Sequence, residues 1–160
     1  MQPVSPSVPS SAQADTVDES LFKSIVEQAP EAIIFADTGG VIRIWNTGAQ
    51  ALFGFDRAEA VGNSLDLIIP ERFRRAHWDA FDKAIANGHT RLGSQVRTTR
   101  SIHKDGRKLY VDLSFGLVVD AAGTVIGALA IGRDGTPRYL EERALREKLA
   151  ALEHPAPSAQ

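Results

Sequence analysis

The chain has 160 residues, 43% of them hydrophobic and 24% charged, which suits one soluble globular domain with a real core. It has no cysteine, which excludes disulfides, zinc–thiolate sites, iron–sulfur clusters, thiol catalysis and covalent cysteine–flavin photochemistry. The formal net charge is −2, yet residues 72–108 hold ten Lys/Arg against three Asp/Glu. That basic stretch reads either as the side of an anionic ligand or as solvated strand and helix faces.

Residues 1–17 are rich in Pro, Ser and Gln and read as a disordered tail, and 154–160, with two prolines, as another. Neither a secretory signal nor a membrane-length apolar run is found, so a cytoplasmic protein with no membrane partner is expected. Asp18 caps a helix over 19–28 that carries Leu21, Phe22, Ile25 and Val26 on one face. Strands over 32–37 and 41–45, joined by Thr38-Gly39-Gly40, form a hairpin. Short helices follow over 46–54 and 57–61, then an apolar segment, 65–69, before Pro70.

The strongest helical pattern spans 73–87. Phe73, His77, Phe81 and Ile85 recur every four residues, and Asn87-Gly88 ends it. Strands are predicted over 92–103, 107–119 and 124–132, with turns at Lys104-Asp105-Gly106 and Ala121-Ala122-Gly123. Leu109, Val111, Leu113, Phe115, Leu117 and Val119 alternate, so one face of the middle strand is buried. A charged helix over 138–153 carries Leu145, Leu149 and Leu152, an exit helix or a very short coiled coil. This order gives an α+β domain: one antiparallel five-stranded sheet with short helices and one longer helix on one face, and a pocket between them.

The pattern resembles the PAS sensor domain. Ala29-Pro30-Glu31-Ala32-Ile33, Ala36-Asp37, Ile44-Trp45-Asn46 with Ala49, Leu52-Phe53-Gly54-Phe55, Glu59 with Gly62, Ile69-Pro70, Lys104-Asp105-Gly106 and Gly132-Arg133-Asp134 carry the resemblance. It covers about Leu21 to Thr136, so 18–136 is expected to be the PAS domain with its leading helix, and 137–153 the exit helix. The usual Asp-Ile-Thr after the last strand is Asp134-Gly135-Thr136 here, which predicts a looser junction.

Within that family the chain looks most like the haem-binding PAS domains of oxygen-sensing histidine kinases and direct oxygen sensor phosphodiesterases. Their Pro-to-His stretch matches Pro70 to His77, so the resemblance implies haem b with His77 as the proximal iron ligand. Arg97 stands nine residues before Gly106, where those families place an arginine that meets oxygen or a propionate. One haem subfamily has a distal methionine where this chain has Gln95, so a methionine-ligated ferrous state is not expected. Lys83 and Arg91 are candidates for the propionates. Leu92, Gln95, Val111, Leu113 and Phe115 are candidates for the pocket wall.

Taken alone, His77 is either an iron ligand or a core histidine bonded to a carbonyl, and Arg97 either a ligand donor or a surface residue. The implied partners are a diatomic gas (O2, CO or NO), a second copy of the chain and a downstream signalling protein. No phosphate loop, nucleophile elbow or His-Glu-x-x-His pair supports an enzyme, and no reader motif supports nucleic-acid binding. Two alternatives remain: a haem-free dimerisation or docking module, and a pocket for a non-covalent flavin or small organic ligand.

Overall fold

The computed structural model describes residues 18–90 and 95–153. In chain order these form α1 (Glu19–Gln28), β1 (Ala32–Asp37), β2 (Ile42–Trp45), α2 (Thr47–Phe53), α3 (Arg57–Ala60), a 3-10 turn (Leu65–Leu67), α4 (Glu71–Asn87), β3 (Arg97–Ile102), β4 (Lys108–Val119), β5 (Val125–Asp134) and α5 (Thr136–Glu153). The strands make one antiparallel sheet in the order β2-β1-β5-β4-β3. This is the α+β architecture that the periodicity implied.

Strand alternation sets which face is covered. Ala32, Ile34 and Ala36 of β1 are buried, as are Leu109, Val111 and Leu113 of β4. All of these but Ala36 pack with Ile42, Trp45, Ala49, Phe53 and Ala60 into the main core, where Trp45 and Phe53 meet at 5.4 Å between ring centroids. Gly48 opens α2 against the chain before β1. A Cβ there would lie 2.2 Å from the Glu31 carbonyl oxygen, so only glycine permits this approach.

Asn46 holds this corner together. It is fully buried and N-caps α2. Its Oδ1 accepts from the N–H groups of Ile33 (2.8 Å) and Ala49 (2.9 Å). Its Nδ2 donates to the carbonyls of Val26, Glu31 and Ala29 at 2.9, 3.0 and 3.3 Å. One side chain thereby joins the end of α1, the start of β1 and the start of α2.

Several boundaries differ from the sequence reading. Helix α4 starts at Glu71 rather than Phe73, because Pro70 in the cap position has no N–H to lose and Glu71 favours the helix N-terminus. Strand β3 starts at Arg97 rather than Leu92. Its ladder begins at the Arg97–Leu113 pair, and from Ser114 onward β4 pairs with β5 alone. Arg91 and Leu92 lie outside the described residues.

The exit helix starts at Thr136, and its junction is tied rather than loose. Gly135 N–H donates to the Tyr110 carbonyl at 2.8 Å, Thr136 Oγ1 accepts from Tyr110 N–H at 3.0 Å, and Thr136 N–H donates to Asp134 Oδ1 at 2.8 Å. A Cβ on Gly135 would sit 2.9 Å from the Asp112 carboxylate, so the glycine is what lets the chain pass.

Replacing Asn46 with Ala strands several buried backbone groups at once and removes a cap. The expected loss is about 3 kcal/mol of folding stability, read by urea unfolding at constant slope.

Candidate functional site

Helix α4 crosses the sheet above β1, β4 and β5 and encloses a cavity of about 700 Å³. That volume lies within the range of cofactor and small-molecule pockets. The floor is made of short side chains, Ala36 on β1 and Ala128 and Ala130 on β5, which leave room where larger residues would fill it. Ile34, Ile68, Ile69, Leu113 and Phe115 supply apolar wall, and α4 contributes Phe73, Ala76, His77 and Phe81. The polar wall is short: Thr99, Arg100 and Ser101 of β3, together with His77.

The position of α4 is fixed near its N-terminal half. Trp78 lies against the β1–β2 turn so closely that a Cβ on Gly40 would be 2.2 Å from its ring, and Gly40 has φ +76°. Trp78 Nε1 donates to Asp66 Oδ1 at 2.9 Å. Arg74 donates through Nε to the Ile69 carbonyl and through Nη2 to the Asp66 carbonyl, both at 3.1 Å. These contacts present the next face of the helix, with His77, to the cavity.

His77 packs edge-on against Trp78 at 4.9 Å between centroids and lies 6.0 Å from Phe81. Its Nδ1 is sealed from solvent and has no hydrogen-bond partner. The other described histidines are engaged: His89 Nδ1 is 3.0 Å from the Asn87 carbonyl, and His103 Nδ1 accepts from Asp105 N–H at 3.2 Å. A core histidine bonded to a carbonyl is therefore not what the structure contains at position 77. Burial pushes the His77 imidazole below its ordinary pKa, against the weaker opposing pull of Asp66 and Asp82, so the ring is neutral.

Of the residues singled out from sequence, the cavity brings together His77, Leu113 and Phe115. Arg97 keeps the face of Thr99 and Ser101 and stands opposite the cavity residue Leu113, but its side chain is exposed and outside the lining. Gln95 and Lys83 are exposed and do not line the cavity. Val111 is fully buried in the main core rather than in the cavity wall. Sequence reasoning missed Arg100, although it is the one cation among the described lining residues. It also missed Ala36, Ala128 and Ala130, for which small residues at a spacing of two were the available signal.

Arg100 also links the cavity to the exit helix. Its guanidinium lies 5.9 Å from the Phe73 ring centroid and 5.7 Å from that of Tyr110. Tyr110 stacks on Tyr139 of α5 at 3.7 Å with 13° between the rings. Arg138 donates to Thr98 Oγ1 at 2.9 Å and Asp112 Oδ1 at 2.7 Å. The Asp112 carboxyl is held below its usual range by the Thr98 hydroxyl first and Arg138 second.

Helices are folded over one face of an antiparallel sheet, around an apolar cavity with few polar groups. The chain belongs to the PAS family, whose PAS fold model matches residues 20–135. PAS domains are sensory modules and generally non-catalytic. The chain is 26% identical over 141 residues to the oxygen sensor protein DosP of Escherichia coli (strain K12), covering 88% of this chain and 17% of DosP. It is 28% identical over 136 residues to the sensor protein FixL of Bradyrhizobium diazoefficiens, covering 85% of this chain and 26% of FixL. It thus spans about a quarter or less of these relatives. The structure of an RNA-binding light-oxygen-voltage receptor aligns with a TM-score of 0.71 at 22% identity, over 94% of this chain and 42% of that one, a likeness of fold. Among the described residues, no helix is long and apolar enough to cross a membrane.

Because the folded state favours neutral His77, the unfolded chain binds the extra proton as pH falls through about 6.5. Stability should therefore decline between about pH 7.5 and about pH 5.5. In His77→Phe that decline should be shallower, as read by urea unfolding at the two pH values.

Proposed function

We propose that this domain binds haem b through His77 and senses a diatomic gas, O2 before CO or NO. It acts as a cytoplasmic homodimer that passes the signal through α1 and α5 to a downstream signalling protein. The observation that carries the reading is a neutral imidazole on the wall of an apolar cavity with no carbonyl or carboxylate bonded to its Nδ1. Its Nδ1 is packed against protein, so the ring would offer Nε2 to an iron in the cavity. Among the described residues no group of three His, Cys, Asp or Glu could hold a bare metal ion. A single histidine suits an iron whose other ligands come with a porphyrin.

When bound, haem b supplies an iron with a free coordination site for the gas. The protein's own residues do the rest. His77 holds the iron from α4, while Ile34, Ile69, Phe73 and Leu113 exclude water. Arg100, on the lining, and Arg97, at its margin, offer guanidinium donors to anionic groups. Arg100 thereby joins Lys83 and Arg91 as a candidate for the propionates, and Arg97 stays the candidate donor to the bound gas. The link from Phe73 through Arg100 and Tyr110 to Tyr139 gives a ligand-induced shift of α4 a route to α5. The likeness to proteins named as oxygen and sensor proteins supports the gas reading.

A second reading is a cavity for a non-covalent flavin or small organic ligand, favoured by the Thr99 and Ser101 hydroxyls on its wall and by the light-oxygen-voltage neighbour. A haem-free docking module is the third.

Protein supplied with haem should show a Soret band that His77→Ala removes and added imidazole restores. An unchanged band in His77→Ala overturns the assignment, flavin absorption favours the second reading, and a colourless protein the third. Arg97→Ala should weaken O2 binding by about one to two decades while changing CO binding far less, measured by laser photolysis and stopped flow.

A further inference from the structure

We propose that the Asn87-Gly88 step at the end of α4 is a self-modification site, where the Gly88 backbone nitrogen displaces the amide of Asn87 and the His89 ring promotes the attack. The site is independent of what fills the cavity, since none of the three residues lines it. Asn87 is the last residue of α4 and is exposed. Gly88 follows with φ +71° and open space where a Cβ would stand. The left-handed cap calls for glycine, and the missing side chain also leaves its nitrogen free to approach the neighbouring amide. His89 Nδ1 lies 3.0 Å from the Asn87 carbonyl oxygen. A carbonyl only accepts, so Nδ1–H is the donor.

That hydrogen bond falls on the same peptide unit as the attacking nitrogen. Polarising the Asn87 C=O draws charge from the Gly88 N–H through the peptide resonance and makes its proton easier to lose. In the reaction Gly88 N–H gives its proton to solvent, and the nitrogen bonds to the side-chain carbonyl carbon of Asn87. The bond from that carbon to the amide nitrogen breaks, and ammonia leaves with a proton from solvent. Water then opens the cyclic imide at one carbonyl or the other, giving aspartate or isoaspartate. No electron is gained or lost.

One restraint opposes the attack: Gly88 N–H is held by the Ala84 carbonyl at 3.0 Å, so the last turn must open first. The contacts that fix α4, from Arg74 and Trp78, lie toward its other end, and terminal turns open at low cost. Comparable positions elsewhere are held by their side chains. Asn46 is the buried cap of α2, and Asn63 Nδ2 donates to the Glu59 carbonyl at 2.7 Å. Asp105 and Asp134, each also followed by glycine, accept through Oδ1 from the N–H two residues on, at 2.9 and 2.8 Å. The product puts a carboxylate at the C-terminus of α4, which the helix dipole disfavours. Isoaspartate also lengthens the backbone, so α4 loosens beyond Phe81, its buried residue.

The test is peptide mapping by mass spectrometry of the full chain held at neutral pH, beside a free peptide of residues 84–90. Asn87 should convert within roughly tenfold of the peptide's rate, while Asn46 and Asn63 stay amides. An Asn87 that stays intact while the peptide converts overturns the proposal. His89→Phe should slow conversion roughly fivefold in the folded chain and not in the peptide. An equal rate in the folded chain overturns the part given to His89. Asn87→Asp should lower the urea midpoint, and an unchanged midpoint overturns the loosening of α4. None of these variants touches the cavity, so a Soret band is judged separately.

Discussion

The fold turns on the side chain of Asn46. Buried without contact with solvent, it satisfies backbone groups from three elements that no ladder joins. A buried amide in a low-dielectric corner stabilises only when its donors and acceptors are used, and here both are used fully. With α1, β1 and α2 locked at one end of the hairpin, the other end offers the Gly40 turn as the seat for Trp78. The position of α4, and so of His77, follows from that seat.

The cavity is the consequence of small residues at a position where packing would otherwise close. Two strands present alanine to α4, and α4 answers with phenylalanine and histidine only along one line. Such a void forfeits dispersion contacts unless something fills it. On the opposite side of β4, Tyr110 is covered by Tyr139, and Arg100 lies across the edge of the sheet between the two surfaces. The ligand face and the exit helix therefore share a side chain.

Much of this was legible before the structure. The alternation of Leu109, Val111 and Leu113, the glycine turns and the four-residue repeat from Phe73 to Ile85 fixed the class and order of the elements, because each follows from local geometry. His77 was marked by its place on the helix stripe. What the residues did not show was the extent of β3. Among the described residues β4 pairs with β5 from Val111 onward, so where its other edge loses β3 is set by tertiary structure. Parity puts Arg97 on the face of Thr99 and Ser101, which is local, but how far the cavity reaches along that face is not. Val111 shares the face of Leu113 and Phe115, yet it belongs to the main core and not to the cavity wall. The glycine at 135 looked like looseness because the Asp112 carboxylate that it clears lies 23 residues away in sequence.

The central claim is that the neutral ring of His77 is an iron ligand. The chain has four histidines, at 77, 89, 103 and 154, so long-range 1H–15N spectra of histidine-labelled protein can follow each ring. Without haem, the His77 ring should show the pattern of a neutral imidazole at pH 7. On adding one equivalent of haem, its signals should shift strongly or vanish, while those of His89, His103 and His154 stay in place. A His77 ring that keeps its signals while haem binds, or while another histidine loses its own, would contradict the account.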